Sequence, residues 1–382
     1  MNNNQFFNRN SLNLITKWWL DIDKINFLLI ISIIIFGLMI SATSSPAIAK
    51  KIDVEKFFFL KKQISFAAIA FLILIFISFF QQEYIKILAI LGLGVALILL
   101  VLVLFLGFEI KGARRWLSLA GFVIQPSEFA KTFFVISNAF ILQKFHTQNF
   151  SIKYGVSSAL FLVVAGLLIL QPDFGMTVTL SILWASQLFI YGLPMFLVAI
   201  CGVFAIMGAM AAYLFLPHVE DRINRFLDMD SKNYQVDRSL DAFVNGGFLG
   251  VGQGNGMVKK FIPDAHTDFV FAVIGEEYGV LTCILLVLIF AYFITRIVKR
   301  ALDEEDMFVY LSLFGLTMQF TMQVIINIGV SLRLFPTKGM TLPFISYGGS
   351  SMLSMAICFG LILAFTKKKY HRSVDYGNLK MI

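Results

Sequence analysis
The sequence predicts an all-α polytopic integral membrane protein with about ten transmembrane helices. Three observations carry the prediction. Of the 382 residues, 58% are hydrophobic and 14% charged, with a mean hydropathy of +0.82; a soluble domain carries about 25% charged residues. Apolar runs of the roughly 20 residues needed to cross the hydrocarbon core recur along the chain. Lys and Arg gather between these runs more than inside them. Residues 1–382 therefore read as one polytopic membrane domain.

The first 25 residues read as a cytoplasmic tail ending in an interfacial segment. There Leu12, Leu14, Trp18, Trp19 and Leu20 interleave with Lys17, Asp21 and Lys24, and the Trp pair suits the headgroup level. Spans are expected over residues 26–44, 62–80, 84–107, 127–143, 155–171, 174–192, 194–216, 267–296, 307–331 and 343–366. The first runs into Pro46-Ala47-Ile48-Ala49, which has the small-residue look of a leader cleavage site. The span before it is long enough to cross and stay. Gln171-Pro172-Asp173 and Tyr191-Gly192-Leu193-Pro194 supply very short turns between neighbouring spans.

An even count of spans puts both termini on one side. The C-terminal tail 367–382 carries Lys367, Lys368, Lys369, Arg372 and Lys380, and the loop 296–300 adds Arg296, Lys299 and Arg300. The positive-inside rule makes these cytoplasmic. The count is not clean, because 14 of the 31 Lys and Arg fall on the inner segments and 17 on the outer ones. An anionic substrate on the outer face would account for the excess. The net charge of +8 points in a membrane protein to anionic headgroups or phosphates before nucleic acid.

The informative polar segments are the outer ones. The stretch 261–277, FIPDAHTDFVFAVIGEE, joins the longest polar segment to a long apolar helix. Pro263 sets its turn, and Asp264 or Thr267 is expected to cap the helix that follows. Asp268 stands at the mouth of the apolar run, where a carboxylate is costly without cationic partners or a chemical role. Glu276 and Glu277 follow about 12–14 Å deeper along the axis. We assign Asp268 to chemistry and the two glutamates to structure; the competing reading makes all three caps or ion-pair partners.

Loop 108–128 reads FEIKGARRWLSLAGFVIQPSE. Lys111, Arg114 and Arg115 precede Trp116, Gln125-Pro126-Ser127-Glu128 opens the next helix, and Lys131 sits one turn inside it. The large loop 217–266, between the seventh and eighth spans, holds Gly246, Gly247, Gly250, Gly252, Gly254 and Gly256. These fit a flexible loop or a close-approach backbone surface beside a substrate; no strand precedes them and no dinucleotide register is present. Before the last span come Lys338 and a hydroxyl-rich run through Ser346, Ser350 and Ser351, which could line a wet cavity or simply allow close helix packing. Cys201, Cys283 and Cys358 lie in apolar spans with no disulfide or metal spacing.

Five segments together resemble the SEDS family of FtsW, RodA and SpoVE proteins. They are KGARRWLSLAGFVIQPSEFAK (111–131), QPDFG (171–175), QVDRSLDAFVNGGFLGVGQG (235–254), KKFIPDAHTDFVFAVIGEEYG (259–279) and PTKGMTLPFISYGGSS (336–351). The last segment and SATSSPAIA (41–49) look closer to the division branch than to the elongation branch. The resemblance implies the SEDS fold, with ten helices and cytoplasmic termini. It implies a peptidoglycan glycosyltransferase that polymerises lipid II on the outer face of the bacterial inner membrane, at the division septum. The family's essential aspartate corresponds to Asp268. Its functional basic and aromatic positions correspond to Arg114, Arg115, Trp116 and Lys338; Lys131 and Ser350 complete the expected substrate-binding set.

The implied partners are lipid II and the growing glycan chain, a class B penicillin-binding protein transpeptidase, other divisome membrane proteins and membrane lipid. No cofactor is indicated, and a divalent cation on the diphosphate is left open. In the expected reaction Asp268 takes a proton from the acceptor hydroxyl, and Arg115, Lys131 and Lys338 stabilise the diphosphate leaving group. A lipid II flippase and a non-catalytic division scaffold are the alternatives. A flippase would want a polar path through the midplane and internal repeats; here the polar residues concentrate in outer loops and no repeat is found.

Overall fold
The computed structural model describes residues 13–51, 53–110, 113–119, 122–227 and 234–368. Lys111, the basic tail beyond Lys368 and the N-terminal residues through Leu12 lie outside the described residues. The helices are α1 Leu14–Asp21, α2 Lys24–Lys51, α3 Phe58–Ser78, α4 Gln82–Leu106, α5 Pro126–Lys144, α6 Phe150–Leu170 and α7 Phe174–Tyr191. After them come α8 Met195–Phe215, α9 Pro217–Leu227, α10 Tyr234–Gly246, α11 Val270–Leu302, α12 Met307–Ser331 and α13 Gly349–Phe365. Between α4 and α5 lies an antiparallel sheet of β1 Phe108–Ile110, β2 Ala113–Leu119 and β3 Phe122–Ile124, in that order.

Among the described residues, eight helices, α2, α3, α4, α6, α7, α8, α11 and α12, are long and apolar enough to cross a membrane. The chain is a multi-pass membrane protein. Two further expected spans are less clear by length and composition: α5 carries Glu128, Lys131 and Lys144 in 19 residues, and α13 has only 17. Both still run between the same two ends of the bundle. At one end Gln125 N, just before α5, donates to Ser350 Oγ at the start of α13 (2.9 Å). At the other, Gln143 of α5 donates to Asp306 (3.3 Å), and Lys367 after α13 donates to Phe80 O (3.3 Å).

This second end also joins the first and last described segments. Lys368 N donates to Asp21 O (2.9 Å), and Trp18 of α1 stacks on Phe79 at 5.2 Å. Two segments meeting at one end is what an even number of crossings requires.

Inside the bundle, where lipid offers no hydrophobic driving force between helices, contact is made by close packing and by buried polar side chains. Phe293, Phe320 and Phe359 form a ring cluster with centroids 5.0–5.5 Å apart. Asn138 donates to Gln187 Oε1 (3.0 Å), and Ser157 donates to Asn138 Oδ1 (2.6 Å). Cys201, Cys283 and Cys358 are free thiols, the last two buried.

Several boundaries differ from expectation. The last helix starts at Gly349 instead of residue 343, because Leu342–Ser346 folds into a turn with Phe344 at φ +61° and Ser346 Oγ accepting from Leu342 N (2.8 Å). Helix α11 continues to Leu302, and Lys299 and Arg300 in its last turn suit the negative end of the helix dipole. The long loop 217–266 is not irregular: it carries α9, α10 and a 3-10 turn at Val258–Lys260. The loop 108–124 is a sheet, pairing Glu109 with Arg114 and Leu117 with Ile124.

Candidate active site
Asp268 lies in the last turn before α11, half-buried. The helix begins only at Val270, and its N-cap, Phe269, makes no side-chain hydrogen bond. The expected capping by Asp264 or Thr267 is therefore not found. Asp264 instead adopts φ +54°, and its carbonyl accepts from the backbone N–H of Thr267 and Asp268 (both 3.1 Å). This tight turn presents Asp268 to the segment between α12 and α13. Its carboxylate lies against Gly339: a Cβ there would stand 2.9 Å from Oδ2.

Glu276 and Glu277 are structural, and fully buried. Glu276 accepts from Val258 N (2.7 Å), Lys259 N (2.8 Å) and Asn245 Nδ2 (2.9 Å). Glu277 pairs with the buried Lys259 ammonium and accepts from Gly254 N (3.1 Å). Gly279, at φ +79°, breaks α11 just beyond them, a conformation that favours glycine. The glycine-rich segment is thus a close-approach backbone surface packed on the glutamates' own helix. It wraps the kink through Val251 N to Glu276 O (3.0 Å) and Gly252 N to Glu277 O (3.1 Å).

The basic residues divide sharply. Strand β2 alternates its side chains, so Arg115 faces one way and Arg114 and Trp116 the other. Arg115 approaches Asp173 Oδ1 (3.7 Å) and donates to Pro172 O, in the turn between α6 and α7. Arg114 is exposed and stands 3.9 Å from Glu109 within the sheet. Trp116 is half-buried and pairs across the strands with Phe108.

Lys338 reaches across to α7, donating to Gly175 O and to Thr179 Oγ1 (2.7 Å). Its stem occupies the space a side chain on Gly175 would need. Burial pushes the Lys338 amine down to about 7, against the pull of Asp173. Lys131 is buried in the bundle with Glu128 (2.8 Å) and donates to Gln323 Oε1 (3.2 Å). Ser350 Oγ is engaged by the backbone ahead of α5. Helix α5 starts with Pro126 at its first turn and no side-chain cap, so the expected Ser/Glu start is not used.

Two buried amides on α12 hold these pieces in register. Asn327 Nδ2 donates to Asp268 O (3.0 Å) and to Met340 O (2.6 Å), so one side chain ties the Asp268 turn to the Lys338 segment. One turn earlier, Gln323 Nε2 donates to Thr341 O (3.0 Å) and Ser351 Oγ (2.9 Å). Arg222 of α9 also belongs to the neighbourhood: burial, then the nearby Arg115, lower its pKa, and Asp173 opposes them. His266 packs between Phe59 (4.8 Å) and Tyr347 (5.4 Å), and burial drops its pKa to about 4, so it is neutral at pH 7.

The structure thus brings together Asp268, Lys338, Arg115 and Lys131, and leaves Arg114 and Trp116 on the opposite face of the strand. Sequence reasoning missed Asp173, Thr179, Gln323 and Asn327. Asp173 had a local signal, an Asp preceding an apolar run, and it does accept from Met176 N as the α7 N-cap (3.3 Å). The two amides had the i, i+4 spacing of one helix face inside an apolar span. Among the described residues, no group of three or more His, Cys, Asp or Glu converges as a metal site.

Comparison with known proteins identifies the family of the chain. Residues 23–371 match the FtsW/RodA/SpoVE family, described as "Cell cycle protein". The "Probable peptidoglycan glycosyltransferase FtsW" of Caulobacter vibrioides is 33% identical over 365 residues, covering 94% of both chains. That of Coxiella burnetii is 37% identical over 281 residues, covering 71% of this chain and 75% of the other. Among solved structures, a chain of a peptidoglycan synthase complex coordinating polymerization and crosslinking aligns with a TM-score of 0.77 at 28% identity, over 91% of this chain and 98% of that one. The rod shape determining protein RodA of Thermus thermophilus aligns with a TM-score of 0.67 at 26% identity, over 91% and 97%. This chain belongs to the FtsW/RodA/SpoVE family.

Proposed function
We propose that this chain is a peptidoglycan glycosyltransferase of cell division that polymerises lipid II on the outer face of the inner membrane, with Asp268 as general base. One observation carries the assignment of the site. The Asp268 carboxylate lies against Gly339, and the adjacent Lys338 extends to the first turns of α7, next to the Pro172–Asp173 turn that receives Arg115. A base and two cations thus converge from three segments.

In the reaction, the acceptor 4-hydroxyl oxygen bonds to the anomeric carbon of the lipid-linked donor. The bond from that carbon to the diphosphate oxygen breaks. The hydroxyl proton passes to Asp268, and undecaprenyl diphosphate departs with the electron pair. Lys338 and Arg115 stabilise the charge that develops on it. Lys131, buried with Glu128, supports the site electrostatically instead of touching substrate. Arg114 and Trp116 face the opposite side of β2 and are available to the glycan or the headgroup layer.

With α5 and α13 counted as crossings, the positive-inside rule supports reading residues 1–25 and 367–382 as cytoplasmic and loop 217–266 as outside. A class B penicillin-binding protein is the fitting partner, since the aligned synthase complex couples polymerization with crosslinking. The test is polymerisation of purified lipid II by the purified protein, alone and with that partner. Asp268→Asn should abolish glycan formation while lipid II still binds and the protein stays folded. Wild-type protein that moves lipid II across liposomes and makes no glycan in either setting would replace this reading with a flippase.

A further inference from the structure
An apolar groove opens to the lipid between α4 and α6. Ile98, Val101 and Leu102 form one wall and Val163, Gly166 and Leu170 the other, around about 650 Å³. Every lining residue is apolar. Gly166 is its floor, with no other part of the protein within 4 Å of where a Cβ would stand. From residue 162 to residue 170 the groove follows α6 for about 12 Å.

It ends where the candidate site begins. Gln171 Nε2 donates to Leu100 O (2.8 Å) and ties α6 to α4 at the groove's end. The next two residues hold Arg115, through Pro172 O and Asp173, and Gly175 O holds Lys338. An apolar groove thus ends beside the segment 172–175 that holds both cations.

We infer that this groove seats the first part of the polyprenyl chain of the lipid-linked sugar donor, whose diphosphate meets Arg115 and Lys338. The inference rests on the polymerase reading of the site. A lipid of this class needs an apolar track and a cationic stop at the same depth, and these two features share the 171–173 turn. The missing side chain at Gly166 leaves open space on the groove floor for a methyl-branched chain.

Two measurements on the full-length protein in nanodiscs test it. First, p-benzoylphenylalanine in place of Val163 is irradiated with lipid II present in a phospholipid bilayer, and adducts are identified by mass. Polyprenyl adducts are expected there, and phospholipid adducts alone at Ile206 on the exposed helix α8. Phospholipid adducts alone at residue 163 would overturn the assignment. Second, Gly166→Leu fills the floor of the groove. The KM for lipid II should rise about tenfold, the loss expected when roughly two methylenes are kept out of apolar contact, with kcat unchanged. An unaltered KM in folded Gly166→Leu protein would also overturn it. The crosslink needs no turnover, so it scores the groove even if wild-type protein fails to polymerise, and that failure would count against the polymerase reading alone.

Discussion

Replacing Lys338 by Met separates function from stability at this site. The variant keeps an unbranched stem over Gly175 and removes the charge. In the unfolded chain this lysine holds its proton up to about 10.5; in the folded protein it does so only up to about 7. Between those values the unfolded state binds more protons, so stability rises with pH across the window and the full cost is felt below it. At pH 7 that cost is on the order of 4 kcal/mol. Met removes it and forfeits hydrogen bonds from a charged donor, worth roughly 1.5–3 kcal/mol each. Neither acceptor is orphaned, because Thr179 Oγ1 also donates to Gly175 O (2.9 Å).

The two effects nearly offset, so the thermal midpoint of Lys338→Met in detergent should stay close to the wild-type value. Loss of one preorganised group facing developing negative charge costs about 10²- to 10³-fold in kcat. Glycan polymerisation by the purified variant should fall by that factor. In wild-type protein, kcat/KM should decline as pH rises through about 7, since only the ammonium form binds diphosphate, and Lys338→Arg should remove that decline. Unaltered polymerisation, or a midpoint that falls in step with activity, would refute the reasoning.

Other outcomes follow from the same geometry. Asp264→Asn should retain most activity, because Asn tolerates the left-handed conformation, whereas Asp268→Asn should lose about 10²- to 10⁴-fold; equal losses would remove the distinction between turn and base. Lys259→Met leaves Glu277 buried without its cation and should cost about 3–5 kcal/mol, largely restored by adding Glu277→Gln; a detergent melting series on the single and double variants checks this. Asn327→Leu should lower kcat with little change in KM, since it frees the Asp268 turn from the Lys338 segment without touching substrate; a rise in KM alone would contradict that role. For orientation, an impermeant thiol reagent on spheroplasts should label Ser231→Cys and spare Ser373→Cys, both outside the described residues, and the reverse pattern would place the site on the wrong face.

The sequence by itself determined the membrane class, the approximate span positions and the candidate base. These are local properties: a run of apolar residues must cross or be buried whatever surrounds it, and a lone Asp at the end of such a run stands out by its desolvation cost. It also assigned Glu276 and Glu277 to structure, and both are buried in hydrogen bonds and an ion pair within the protein. It could not say which cations reach the base. Arg114 and Arg115 are adjacent in sequence and equivalent in composition, yet the strand sends Arg115 to Asp173 and leaves Arg114 exposed beside Glu109. The sheet that makes this choice was hidden because its outer strands, Phe108–Ile110 and Phe122–Ile124, are only three residues long.

Only the tertiary structure decided how separate segments come together at the candidate site. Lys338 lies 163 residues from Gly175, and Asn327 59 residues from Asp268. Local propensity carries no information about pairings across such separations. It also hid Gln323 and Asn327, which read as ordinary polar residues in an apolar helix until their bonds to the neighbouring segments are seen. A buried amide must find partners, and which partners it finds is set by how the helices pack.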